Sequence, residues 1–305
     1  MKKIIPALIS LMILKPPSTY AVSDQIFSET INGNTFSYTI TTDMNAVITE
    51  CLSDMPEITI PSSLGGYMVT SIGEKAFFGK IMLTSVIIPE GITYIGDNAF
   101  SGCLSLESVE LPETLTSMGK ECFTSCTALE RVKLSSELSS IPERCFSSCT
   151  SLSEITIPDS VVFIGTEAFF GCSDITNIFV PPTVEIIGDN AFGMHYDIRN
   201  NGIEKINNFR IRGLPETSAE IYAGNTGIEI YNKLGDVNYD SIIDSVDASL
   251  ILSEYAVLST GGTASFDQYQ QFAGDYSRDN TIDSVDATMI LAEYARLQTL
   301  SDEET

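Results

Sequence analysis

The sequence predicts a mainly β solenoid of 23-residue repeats, followed by a small all-α unit of two loop-helix segments. Two observations carry this. Phe77, Phe100, Phe123, Phe146, Phe169 and Phe192 are each 23 residues apart, and Ile72, Ile95, Met118, Ile141, Ile164 and Ile187 keep the same period. Near the end, a 12-residue stretch dense in Asp begins at Asp236 and recurs at Asp275, each time ahead of a similar apolar helical run.

The repeat unit reads Leu-x-x-Val-x-Leu-Pro-x-x-Leu-x-x-Ile-Gly-x-x-Ala-Phe-x-x-Cys. Four consecutive copies, 81–103, 104–126, 127–149 and 150–172, keep register without a gap. One such unit cannot bury its apolar face alone, so units stack, and this period with this spacing implies a leucine-rich solenoid. Alternation then assigns faces. Val86, Val109, Val132, Ile155 and Ile178 point inward, as do Ile88, Leu111, Leu134, Ile157 and Val180. The residues between them form an outward column, Ile87, Glu110, Lys133, Thr156 and Phe179, beside Ser85, Ser108, Arg131, Glu154 and Asn177. Glu110 with Lys133, and Arg131 with Glu154, are expected as exposed ion pairs worth roughly 0–1 kcal/mol each. Ile87, Glu110, Arg131, Lys133, Thr156 and Phe179 are the candidate ligand face. The pattern resembles the BspA-like leucine-rich repeats of bacterial surface and secreted proteins, over residues 58–230. Residues 24–57, with strands expected at 35–40 and 46–49, read as an N-terminal cap. A strand and turn at 209–213, a short helix at 218–223 and a strand at 227–230 resemble the closing segment of such arrays.

The first 21 residues read as a signal peptide. Met1-Lys2-Lys3 is basic, residues 4–14 are apolar but too short to span a bilayer, and Thr19-Tyr20-Ala21 offers a cleavage site. The net charge of −25 repels nucleic acid and anionic membranes. The seven cysteines follow the repeat: Cys103, Cys126, Cys149 and Cys172 share one column, Cys122 and Cys145 another, and Cys51 stands alone. Stacking positions favour buried thiols, with a disulfide or a metal site as alternatives. His195, the only histidine, has no carboxylate or nucleophile at motif spacing and reads as exposed or packed.

The Asp-rich loops carry the chemistry. Asp236, Asn238, Asp240, Asp244 and Asp247 occupy positions 1, 3, 5, 9 and 12, with the Ile242 carbonyl at position 7. Asp275, Ser277, Asp279, Asp283 and Asp286, with the Thr281 carbonyl, repeat the set. That spacing wraps a 12-residue loop around Ca2+, a hard cation needing six or more oxygens. Two sites are expected. Position 6, usually Gly, is Ser241 and Asn280; Asn tolerates positive φ better. Leu234-Gly235 precedes the first loop with no entering helix, and position 12 is Asp rather than Glu. Between the two units, 260–263 reads as a turn and 265–272 as a helix, with Ser265 as N-cap and Phe266, Tyr269 and Phe272 as an apolar stripe.

A duplicated loop-helix with Asp at position 12 resembles a dockerin, over residues 234–298, ahead of an acidic tail at 299–305. The resemblance implies attachment to a cohesin domain of a scaffoldin. It carries the cohesin contact to loop positions 10 and 11 and helix positions 17 and 18. These are Ser245, Val246, Leu252 and Ser253, then Ser284, Val285, Leu291 and Ala292. Calcium is expected to be needed by the dockerin and not by the solenoid. The reading is a secreted, scaffold-attached, non-catalytic binding protein with two Ca2+, its repeats binding a protein or surface ligand. The alternative is a component that binds or degrades polysaccharide; the absence of Trp weakens a flat aromatic sugar platform. No nucleic-acid or membrane partner is expected.

Overall fold

The structure is a computed structural model that describes residues 25–213, 216–231, 234–238, 242–266 and 268–303. The expected signal peptide, Asp240 and Ser241 lie outside the described residues. The chain divides into two compact units, crossing between them after residues 176, 185 and 208.

The first unit opens with three antiparallel strands, Phe27–Ile31, Asn34–Ile40 and Ala46–Cys51. The first of these was not expected. Ala46–Cys51 then pairs in parallel with Tyr67–Ile72, so the hairpin covers one end of a parallel sheet that continues through Tyr94–Ile95 and Ser117–Met118. A second parallel sheet stacks Glu57–Thr59, Ser85–Ile87, Ser108–Glu110, Arg131–Lys133 and Glu154–Ile155. Its register sets Val109 against Val132 and Val132 against Ile155, as the 23-residue period requires. Val86, Val109, Val132, Ile88, Leu111, Leu134 and Ile157 are buried, whereas Ile155 is half-buried.

The first sheet is interrupted after Met118, and a separate one joins Ser140–Ile141, Phe163–Ile164 and Ile186–Ile187. The cause is covalent. In neighbouring rungs the Gly after the strand donates its N–H to the rung before: Gly96 to Ile72, Gly119 to Ile95, Gly165 to Ile141 and Gly188 to Ile164. At the corresponding place stands Pro142, which has no N–H to give Met118. The glycines answer a second need. A Cβ on Gly119 would lie 2.3 Å from the Asp97 backbone nitrogen, so rungs approach too closely for any side chain there.

The core is a stack of rings. Phe77, Phe100, Phe123, Phe146, Phe169 and Phe192 are fully buried, and the first five lie face to face with centroids 4.8, 5.2, 5.5 and 5.4 Å apart. Cysteines line the same interior. All seven are buried free thiols, so the disulfide alternative is not realised. The Cys103, Cys126, Cys149 and Cys172 thiols donate to the carbonyls of Phe77, Phe100, Phe123 and Phe146 at 3.3, 3.2, 3.2 and 3.1 Å. The column therefore needs a small side chain with a weak donor, and the thiol supplies both. Burial pushes the Cys172 thiol up to about 12 and Cys122 and Cys145 well above their usual range, so these sulfurs stay protonated and unreactive. His195 sits in an unexpected hairpin, Met194–Asp197 with Gly202–Lys205, opposite Glu204.

In the second unit, strands Asn177–Phe179, Arg210–Arg212 and Glu229–Tyr231 run in parallel, with helix α1 (Ser218–Thr226) crossing between the last two. The Ser218 hydroxyl donates to the Val184 carbonyl, tying α1 to the stretch after the first strand. Helices α2 (Ser245–Ser259), α3 (Gln268–Gly274) and α4 (Ser284–Glu303) follow. Helix α2 packs on α4. Val237, Ile243, Ala248, Ile251, Phe266, Tyr269, Ala273, Ala287 and Ile290 form their core. The duplication is visible in it: Ala248 and Ile251 in α2 correspond to Ala287 and Ile290 in α4, 39 residues on.

Candidate functional site

Each Asp-rich loop is tied by its last residue. Asp244 caps α2: its side chain accepts the Val246 N–H at 2.6 Å, while Asp247 Oδ2 accepts the Asp244 N–H at 2.9 Å, a capping box made of two carboxylates. The other oxygen of Asp247 accepts the N–H groups of Val237 and Asn238, at 2.9 and 3.3 Å. The second loop repeats this. Asp283 Oδ1 accepts the Val285 N–H at 2.6 Å, and Asp286 accepts from Asp283 at 2.9 Å and from Ser277 at 2.8 Å. Position 12 thus binds the start of each loop to the N-terminus of the next helix, where the helix dipole favours the negative charge.

Within the second loop, Asp275 receives the N–H groups of Asp279 and Asn280 at 3.0 and 2.8 Å, which curls the loop around its first carboxylate. Asn280 takes φ +66°, the left-handed turn that position 6 requires. Asp279 accepts the Thr281 hydroxyl and N–H, and these bonds hold its carboxyl below the usual range. In the first loop Asp236 and Asp247 are buried, as is Asp286 in the second. Asn238, Asp244, Asp275, Ser277 and Asp283 are half-buried; Ile242, Asp279 and Thr281 are exposed. Gly235 enters the first loop at φ +93°, where a Cβ would lie 2.9 Å from the Tyr276 ring of the second loop.

The donor set fits a hard cation. Asp275, Asp279, Asp283 and Asp286 lie within twelve residues, and among the described residues no Lys or Arg pairs with any of them. Among the described residues no three such carboxylates yet converge on one point. Their oxygens hold backbone N–H groups, and a carboxylate oxygen so engaged keeps a second lone pair.

The sequence missed Glu254. It is buried on α2, and its carboxylate accepts the Ser265 N–H, the Ser265 hydroxyl and the Phe266 N–H at 2.8, 2.5 and 3.2 Å. Ser265 is therefore not a helix cap, as expected, and α3 begins only at Gln268; a tertiary carboxylate outcompetes the local capping bond. Glu293, the counterpart 39 residues on, instead pairs with Arg296 at 2.6 Å. No local signal separates the two. Burial alone would push the Glu254 carboxyl up, but the bonds from Ser265 and Phe266 outweigh it and hold the group below the usual glutamate range. Its stabilising contribution is thus complete at neutral pH and is lost as pH falls through the lowered folded value. Glu254→Gln is expected to cost about 2 kcal/mol at pH 7, with the deficit shrinking towards pH 3 in urea titrations. A deficit that stays constant across that range would assign the effect to packing.

The eight residues expected to meet a partner are all exposed. Val246, Leu252, Val285 and Leu291 are 49, 43, 51 and 42% exposed, and Ser245, Ser253, Ser284 and Ala292 lie open beside them. In the repeats, Ile87 is 60% exposed, Thr156 and Arg131 are open, and Lys133 pairs with Glu110 at 2.7 Å. Lys133 and Thr156 line an open depression of about 350 Å³. Two expectations fail here. Arg131 and Glu154 lie in register without an ion pair; an exposed pair gains too little to hold both side chains. Phe179 is not an exposed ligand residue. It is partly buried against the helical core and meets Tyr269 edge to face at 6.1 Å.

Residues 70–199 match the family described as BspA type leucine rich repeat region, in six copies, and residues 234–293 match the dockerin type I domain. The chain joins a BspA-type leucine-rich repeat region to a type I dockerin. Among solved structures, the leucine-rich repeat protein of T. pallidum aligns at 26% identity with a TM-score of 0.54, over 64% of this chain and 95% of that one. A leucine-rich cell surface protein from Faecalibacterium prausnitzii A2-165 aligns at 22% identity with a TM-score of 0.47, over 63% and 72%. A leucine-rich repeat protein from Bacteroides ovatus aligns at 27% with a TM-score of 0.45, over 56% and 50%. No curated protein matches the chain. Both matched modules are non-catalytic binding modules, type I dockerins bind calcium, and no enzymatic domain is found. Among the described residues no helix is long and apolar enough to cross a membrane.

Proposed function

We propose that this is a secreted, non-catalytic binding protein held on a cellulosome-type scaffold by its dockerin, which takes up two Ca2+ and docks a cohesin. The reading rests on the twin loops, each tied from position 12 to its own start and to the helix that carries an exposed Val and Leu. Calcium offsets the mutual repulsion of the carboxylates gathered in each loop. Asp236, Asn238, Asp240, Asp244, Asp247 and the Ile242 carbonyl would hold one ion. Asp275, Ser277, Asp279, Asp283, Asp286 and the Thr281 carbonyl would hold the other. The chain's part is to bring both ends of each loop together and so fix the helix that follows. Its basic start and apolar run at 4–14 support export, and the open sheet around Ile87, Glu110, Arg131, Lys133 and Thr156 supports a protein ligand for the repeats.

Calorimetric titration with CaCl2 tests the calcium reading. The wild type is expected to take up two ions, Asp236→Ala and Asp275→Ala one each. Uptake of fewer than two by the wild type overturns the two-site assignment.

A further inference from the structure

We propose that the dockerin helices are seated, through Phe179, on the three parallel strands that share the second unit with them, so that the helices and these strands open as one cooperative unit. The seat is specific. Tyr269 is wholly buried in the dockerin core, and the Phe179 ring meets it edge to face, with centroids 6.1 Å apart and planes at 72°. The Phe179 side chain packs against the cluster that Ile251 of α2 and Ile290 of α4 complete. Its strand is held on the other side of the chain: Ile178 pairs with Ile211, Ile211 with Ile230, and the Val180 N–H donates to the Arg212 carbonyl at 2.9 Å. The stretch that follows this strand is bonded to α1 through Ser218.

In sequence, Phe179 occupies the same repeat position as Ile87, which is 60% exposed. An aromatic ring at an outward repeat position is here partly buried against the helical core. Opening α2 and α4 uncovers Phe179, and loosening the strand Asn177–Phe179 withdraws a wall from Tyr269. The expectation that calcium concerns the dockerin alone is therefore narrowed: ordering the loops also protects strands Arg210–Arg212 and Glu229–Tyr231.

Amide hydrogen exchange on the full chain tests this, with and without CaCl2, for wild type, Phe179→Ala and Ile87→Ala. Removing the ring is expected to speed exchange in α2 and α4 by roughly tenfold, with Ile87→Ala unchanged. Calcium is expected to slow exchange at 210–212 and 229–231 in the wild type and less so in Phe179→Ala. If Phe179→Ala unfolds the chain, the milder Phe179→Leu is read in the same way. Wild-type exchange in α2 and α4 of the Phe179 variant overturns the seat. So does calcium protection confined to residues 234–298. The calcium arm rests on the two-site reading; if calorimetry shows no uptake, that reading fails and exchange in the calcium-free variants alone decides the seat.

Discussion

Phe123→Ala is expected to destabilise the repeat array by about 3–5 kcal/mol, the cost of removing a buried phenyl ring. Phe123 is wholly buried and stacks on Phe100 at 5.2 Å and on Phe146 at 5.5 Å, nearly parallel to both. Both neighbours lose a contact face, and both are held by their own backbone ladder. The Phe123 N–H donates to Cys145, and the Cys149 thiol donates to the Phe123 carbonyl, so the backbone cannot easily collapse into the void. A domain of this size moves about 2–4 °C per kcal/mol, so the melting temperature is expected to fall by roughly 6–20 °C. Phe146→Ala, one rung on, is expected to behave alike. Thermal unfolding within a degree or two of wild type would mean that the ring stack is not the core.

What was legible in the sequence is what repeats. The Phe column, the buried Val and Leu positions and the twin loops all recur at fixed intervals, and a residue type that recurs in register reveals its environment. What was not legible depends on a single remote partner. Phe179 keeps the outward position of Ile87 and differs only because Tyr269 arrives 90 residues later. Ser265 has every local mark of a helix cap, and Glu254 takes its N–H and hydroxyl instead. Pro142 is the reverse case. Its missing N–H breaks one sheet at a place that the covalent chemistry alone foretells, within a repeat that otherwise reads as unbroken.

The pair Val246→Asp and Val285→Asp, made together, is expected to abolish cohesin binding, while either change alone leaves it nearly intact. Position 11 of both units is an exposed Val, and position 17 of both an exposed Leu. The two candidate surfaces differ only at Ser253 and Ala292. Near-identical surfaces on duplicated units offer a cohesin two orientations, so one intact copy suffices. Both surfaces are apolar at their centre, so burial dominates the contact, and fully burying one such side chain contributes roughly 1.5–3 kcal/mol. Placing a carboxylate there forfeits that term and adds an unpaired charge, so losing both surfaces weakens binding on the order of a hundredfold or more. A single variant that abolishes binding would show that one orientation is used. An unaffected double variant would remove these residues from the contact.

The affinity of the full chain for a panel of cohesin modules, measured in CaCl2, then in EDTA, then with calcium restored, tests the proposed attachment most directly. The account predicts binding to at least one cohesin in calcium, its loss in EDTA and its recovery when calcium returns. Binding that persists in EDTA, or no binding to any cohesin with calcium present, would contradict it.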